Sequence, residues 1–393
     1  MNQFKFRAVG QGLFYTGISY EYNFSFIYDC GSSEKSDKFI NKEIYDFFCE
    51  MKKFNQNSSY KPHVDFTVVS HLHTDHFNGL FKLSQKVGLG RIFLPYISND
   101  ANLKALALGG AILSKNNGDF AKLRDTEALD IFSFAYSLYQ ENGEAFDIES
   151  ERNINLREDY GNGRETDDSR RRYSRLRKEK SRNAYYDYVS AEPLDSARNN
   201  WNFMLLNKSA KQKKLNEWKS TLDTELEKLG IGQDELFDYI VNNDDGFNRL
   251  SEIYKKVFKS GTALNNTSVM LLHYPEQFKY FNCDRTCNEV CFSESAATLL
   301  TGDGSMDRSM QRIIRSKLSN KAIAVLQIPH HGARDNWRAL KRNWIKSGLF
   351  AVSFGIGNKY GHPNAEIVSE IAFEKLNVVF VTQLNSFEYR IVV

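Results

Sequence analysis

Short apolar runs and three-to-four-residue apolar spacing alternate at both ends of the chain, and the alternation predicts a layered α/β fold. The opening "FKFRAVGQGLFYTGI" and "NFSFIYDC" are aromatic and β-branched runs punctuated by glycine, as sheet strands are. From Lys35 to Lys53, the residues Ile40, Ile44, Phe47, Phe48 and Met51 recur at helical spacing and predict a helix with one buried face. "VDFTVV" and "RIFLPY" then read as short buried strands. The last hundred or so residues repeat the rhythm, with strands at "ATLLTGD", "AIAVLQI", "LFAVSFG" and "NVVFVTQ" and helices beginning near Asp307, Ala333 and Asn364.

The middle of the chain breaks the pattern. Residues 97–262 carry helical periodicities, the clearest at Leu215, Trp218, Leu222, Leu226 and Leu229, closed by Gly230. Residues 143–198 are too polar to form a core unaided. Within them, "RRRYSRLRKEKSR" sets eight basic residues against one glutamate, among Tyr173, Tyr185, Tyr186 and Tyr188. The expected organisation is therefore two flanking α/β halves, 1–96 and 263–393, around a mainly helical, charged insertion at 97–262.

Composition narrows this picture only a little. The net charge of +3 over 393 residues is too small to indicate a partner. No run approaches the ~18 apolar residues of a membrane span, and "MNQFKFRAVGQG" lacks the apolar stretch of a secretory signal. A cytoplasmic location, with no membrane partner, is the expectation. Five cysteines are too few and too clustered for a disulfide framework. "CDRTCNEVC" (Cys283, Cys287, Cys291) has spacing seen in zinc sites but no evident fourth ligand, so a thiol-bearing loop is the simpler reading.

The histidines carry the chemistry. Of eight in the chain, six lie just past apolar strands, in "SHLHTDH", "PHHG" and "YGHP". Carboxyl ends of strands are where α/β folds hold their sites. His71 and His73, two residues apart in extended backbone, project on one side and can grip one metal ion. Asp75 and His76 can reach a second ion as the chain turns into a helix, and "LLTGDG" presents Asp303 between two glycines. Adjacent residues in extended backbone point opposite ways, so His330 and His331 are not expected to face the same ion. His362 either meets substrate or merely caps the turn before Pro363.

"HLHTDH" matches the H-x-H-x-D-H motif, and on it the chain resembles the metallo-β-lactamase fold superfamily of hydrolases. With "LLTGD", "PHHG" and "YGHP" it is most similar to the branch typified by the metallo-β-lactamase-like domain of the DNA-uptake protein ComEC. More loosely, "VGQGLFYTG…FIYDCGS" is similar to metallo-β-lactamase-fold proteins of bacterial anti-phage systems. The resemblance covers 1–96 and 263–393 and implies an αββα sandwich with a metal site at one edge. Carried over, it makes His71 and His73 ligands of a first metal, Asp75 and His76 of a second, and Asp303 the bridge. His331 would complete the second site, His330 would face substrate, and Asp29 would buttress the histidine loop. Asp75, His330 and His362 become the candidate catalytic residues. Many superfamily members place a further first-site histidine before the bridging aspartate, and here only His273, in "SVMLLHY", stands in that interval. The expected cofactors are two divalent ions, Zn²⁺ or Mn²⁺.

The chemistry so implied is hydrolysis of an ester by a metal-activated water. A phosphodiester, nucleic acid first, is the expected substrate. Arg170, Arg171, Arg172, Arg175, Arg177 and Lys178 would meet phosphates, or equally an acidic protein partner of the insertion. The alternatives are a small nucleotide or phosphodiester substrate, and a partner-activated regulatory or scaffold subunit of a defence complex.

Overall fold

The computed structural model describes residues 2–56, 60–71, 73–93, 152–153, 201–206, 212–232, 235, 239, 268–283, 297–318, 321–338, 348–374 and 376–393. Along them run β1 (Asn2–Phe6), β2 (Phe14–Ser19), β3 (Phe24–Cys30), α1 (Lys38–Phe54), β4 (Phe66–Val68), α2 (Thr74–Lys86) and β5 (Arg91–Phe93). Next come β6 (Arg152–Asn153), β7 (Trp201–Leu206), α3 (Gln212–Leu229), β8 (Met270–Pro275), β9 (Tyr280–Cys283) and β10 (Ala297–Leu300). The chain continues through α4 (Arg308–Leu318), β11 (Ile323–Gln327), β12 (Leu349–Ser353), α5 (Ala365–Phe373), β13 (Asn377–Val381) and β14 (Phe387–Val392).

The strands form two seven-stranded mixed sheets, ordered β5-β4-β3-β2-β1-β14-β9 and β13-β12-β11-β10-β8-β7-β6. β3, β4 and β5 are mutually parallel, as are β10 to β13, and the remaining pairs are antiparallel. Every residue of β2 and β3 is buried, which requires cover on both faces. One face meets the other sheet. Phe26 and Phe66 pack on Phe203 at 5.2 and 5.0 Å, and Phe4 packs on Trp201 at 5.2 Å. Each such ring pair contributes roughly 0.5–1.5 kcal/mol beyond its buried area. The outer face carries α1, whose Phe47 sits 5.9 Å from Phe14. On the second sheet, Met310 and Ile314 of α4 and Ile367 and Ile371 of α5 pack with Leu299, Leu326, Phe350 and Val352.

The division into chain halves does not coincide with the division into sheets. β9 and β14 leave the C-terminal half to complete the first sheet, β14 pairing with β1 from Asn2↔Ile391 to Phe6↔Phe387. β14 escapes a search for apolar runs because "FEYRIV" alternates buried and half-buried positions. Trp201–Leu206, inside the segment expected as an insertion, is a strand of the second sheet, paired along its length with β8. Its six-residue run is a strand pattern embedded in polar chain. The helix expected at Leu215–Leu229 is α3, with Trp218, Leu222 and Leu226 buried and Gly230 left-handed at its end. Near Ala333 the described residues form only single 3₁₀ turns, His330–Gly332 and Arg334–Asn336. Arg170, Arg171, Arg172, Arg175, Arg177, Lys178, Cys287 and Cys291 lie outside the described residues. Among the described residues, no helix is long and apolar enough to cross a membrane.

One polar chain crosses the aromatic core. Trp201 Nε1 donates to His273 Nδ1 at 3.4 Å, which leaves His273 Nε2 to donate to the Tyr15 hydroxyl at 2.9 Å. Tyr15 bonds to Tyr389 at 2.6 Å, and Tyr389 to Thr298 at 2.6 Å. The chain ties β2 and β14 of the first sheet to β7, β8 and β10 of the second. Burial pushes His273 down to about 3.

Candidate metal centre

The motifs converge at the carboxyl ends of β4, β10, β11 and β12. Two groups of side chains there could hold metal ions: His71, His73 and Asp303 in one, and Asp75, His76 and His331 in the other. Within each, the candidate ligand atoms lie within 4.8 Å of one another.

The helix α2 delivers half of this chemistry. His73 is its N-cap, in extended backbone, and Asp75 and His76 occupy its first turn. Gly31 allows the approach, because a Cβ there would strike the backbone of Asp75 and His76. From the other sheet, Gln327 Oε1 accepts from the backbone N–H of Thr301 (2.9 Å) and Gly302 (3.1 Å), fixing the turn that presents Asp303. Asn336 Nδ2 donates to the Asp303 carbonyl at 2.8 Å.

Three histidines are oriented in the same way. Ser70 Oγ donates to Asp29 Oδ2 at 2.6 Å, so it accepts from His71 Nδ1 at 3.0 Å. His76 Nδ1 donates to Asp29 Oδ2 at 2.8 Å, and His331 Nδ1 donates to the Ser353 carbonyl at 2.8 Å. Each therefore commits Nδ1–H to the protein and turns Nε2 inward, the arrangement in which a metal-binding imidazole is held by an outer acceptor. Asp303 spans the groups, its Oδ2 3.4 Å from His71 Nε2 and its Oδ1 3.0 Å from His76 Nε2. His331 Nε2 faces Asp75 Oδ2 at 3.0 Å. His71 Nε2, His76 Nε2 and Asp303 Oδ1 are buried without a hydrogen-bond partner. A buried, orphaned donor set of this kind is costly unless something satisfies it, and divalent cations suit imidazole and carboxylate ligands.

The electrostatics agree. Burial lowers His73 to about 3, helped by His71, and lowers His71 through burial and His76. Burial opposes charge on His76 too, yet Asp303 and Asp29 hold it well above its ordinary value. For Asp303, the neighbouring His330, His76 and His71 overcome burial and keep the carboxyl well below the usual range. His331, paired with Asp75, is raised against burial. A site whose carboxylates favour a proton on His76 equally favours a cation in its place.

His330 and His331 are separated at the site, but not by extended backbone. Both have positive φ, 49° and 52°, so the turn is left-handed rather than extended. His330 also faces the site, its Nδ1 bonded to Asn336 Oδ1 at 2.8 Å and its Nε2 3.5 Å from Asp303 Oδ2. His331 nonetheless belongs to the Asp75–His76 group and His330 to neither. His362 stands in front, its ring 5.8 Å from His330, lowered to about 4 by burial and by His331 and His330. Asp29 reaches the histidine loop, accepting also from the Ser70 backbone N–H at 2.6 Å. His273 does not enter the site, since both its nitrogens are engaged in the core. Ser70, Gln327, Asn336 and Ser353 carry no motif in the sequence, yet they orient the ligands.

No family model of known proteins matches the chain, and no curated protein matches it either.

Proposed function

We propose that the chain is a metal-dependent hydrolase of the metallo-β-lactamase fold that cleaves phosphodiesters, with nucleic acid as its substrate class. The observation that carries this reading is Asp303, a buried carboxylate between two His/Asp groups, whose Oδ1 lacks a hydrogen-bond partner, as do His71 Nε2 and His76 Nε2. His71, His73 and Asp303 would hold one divalent ion, and Asp75, His76, His331 and Asp303 a second. Zn²⁺ or Mn²⁺ there would supply Lewis acidity and make water a nucleophile near neutral pH.

The chain's own residues prepare the rest. Asp29, Ser70 and Ser353 fix the imidazole tautomers. His330 is held at Nδ1 by Asn336 with its Nε2 3.5 Å from Asp303 Oδ2, which places the ring where a substrate would approach the centre. His362, neutral at pH 7, can orient a phosphate oxygen without adding charge. The preference for nucleic acid rests on the basic run from Arg170 to Lys178, which can neutralise several phosphates. On this reading residues 97–262 are an insertion that also lends β7 to the second sheet.

The test is hydrolysis of single- and double-stranded DNA and RNA with added Mn²⁺ or Zn²⁺, beside an Asp75→Ala, His76→Ala variant. Metal-dependent cleavage lost in the variant is the expected result. Metal-loaded protein that cleaves neither nucleic acid nor bis(p-nitrophenyl) phosphate overturns the reading.

A further inference from the structure

Beside the candidate centre stands an aromatic ring that the hydrolytic reading does not use. Tyr360 is 50% exposed, and its ring stacks on His362 at 5.9 Å and 18°. His362 lies 5.8 Å from His330, and His330 Nε2 lies 3.5 Å from Asp303. Tyrosine, imidazole, imidazole and carboxylate thus form a file from the surface to the centre.

The loop that carries Tyr360 is built rigidly. Asn358 Oδ1 accepts from the backbone N–H of Tyr360 and of His362, both at 3.1 Å. Its Nδ2 donates to the carbonyls of Gly355 (2.9 Å) and His362 (2.7 Å). Asn364 N–H then donates to the Gly332 carbonyl at 2.9 Å, joining this loop to the turn that bears His330 and His331. One side chain thereby holds an exposed aromatic ring in register with the centre, so a ligand stacking on it has little loop ordering left to cost. Lys359 adds a cation, its Nζ 5.5 Å from the Tyr360 ring centroid. Cation–π contact is weak at an exposed site, so a planar ligand can take the ring face while the flexible lysine turns to an anion. An aromatic face with an adjoining cation is how proteins hold a base and its phosphate in single strands.

We propose that Tyr360 is a specificity-determining stacking platform for the nucleobase next to the scissile phosphate, with Lys359 on the flanking phosphate. The inference rests on the phosphodiesterase reading and names its substrate as single-stranded or locally unpaired nucleic acid. Stacking reads the flat face of a base, so the subsite tolerates any sequence but requires a base.

The test separates the base from its backbone. Metal-loaded protein is titrated by fluorescence anisotropy with a labelled phosphorothioate hexathymidylate, which resists cleavage, and with an abasic hexamer of the same linkage and charge. The wild-type protein is expected to prefer the base-bearing probe by about 5- to 100-fold. Tyr360→Ala erases that preference, while Tyr360→Phe and Tyr360→Trp keep it. Lys359→Ala weakens both probes together and lowers the salt slope by about one. Thermal melting of each variant checks that the fold is intact. Absence of the preference in the wild type, its survival in Tyr360→Ala, or loss of affinity for both probes alike overturns the proposal. The last result would make Tyr360 part of a general interface instead. Hydrolysis of bis(p-nitrophenyl) phosphate by the wild type is read separately, so loss of the hydrolytic reading and loss of the platform are distinguishable.

Discussion

The molecule buries histidines in two places, and the two differ in what their nitrogens face. His273 lies between the sheets, with Trp201 on Nδ1 and Tyr15 on Nε2 and rings of Phe4 and Phe26 at 5.0 and 5.3 Å. Both nitrogens are satisfied, and burial keeps the ring neutral. At the sheet edge, His71, His76 and His331 each hand Nδ1 to the protein and turn Nε2 toward carboxylates, and two of those Nε2 atoms lack partners. Burial and aromatic contact are common to both places. Orphaned inward nitrogens and a shared carboxylate belong to one. That difference separates a histidine that specifies packing from one that can hold a cation.

The contrast can be broken from either side. The largest effect is expected at Asp303. Removing the carboxylate shared by both groups, as in Asp303→Ala, should lower hydrolysis by about 10³-fold, roughly 4 kcal/mol, with the metal content falling in parallel. His273→Ala should do the reverse. It strands Trp201 Nε1 and opens a cavity between the sheets, destabilising the fold by roughly 3 kcal/mol in denaturant titrations while metal content stays unchanged. A smaller effect is expected at Asp29, which touches no candidate metal position but orients His76 and Ser70. Asp29→Asn should weaken metal affinity by about 10- to 100-fold, read by competition with a chelating dye.

The smallest effect per step of the measurement is a slope. His273 sits at about 3 in the folded chain against an ordinary 6.5, so its contribution to stability is complete above pH 6.5 and lost as pH falls toward 3. Wild type should therefore lose about 1.4 kcal/mol per pH unit more than His273→Phe across that window. Equal slopes would mean that the core histidine takes up its proton without opening the sheets.

The unequal legibility of these two places in the sequence has a physical origin. His71, His73, Asp75 and His76 share one short stretch behind a buried strand, so their common side could be read from spacing alone. Asp303 and His331 follow the same rule at the ends of β10 and β11. The side chains that orient them come from distant segments, as Gln327 does for Gly302 and Ser353 for His331, and no local pattern announces such a pairing. The turn bearing His330 and His331 is left-handed at two successive residues, which a rule for extended backbone does not anticipate, although only His331 joins a ligand group. The helix α1 and the parallel strands β3, β4, β10, β11 and β12 followed their patterns closely, since each buries one continuous stripe or run. β14 and β7 did not, the first half-buried and alternating, the second enclosed in polar chain. Sheet membership was the least legible feature, because β14 pairs with β1 from the opposite end of the chain and carries β9 into the first sheet with it.

The central claim is that the edge cluster, and not the core histidine, exists to hold divalent ions. Metal titration by calorimetry, with bound metal counted by mass spectrometry, tests it most directly on the wild type, Asp303→Ala and His273→Phe. The account predicts two ions per chain in the wild type, two in His273→Phe and fewer than one in Asp303→Ala. No stoichiometric binding of Zn²⁺ or Mn²⁺ by folded wild-type protein, or full binding retained by Asp303→Ala, would contradict it.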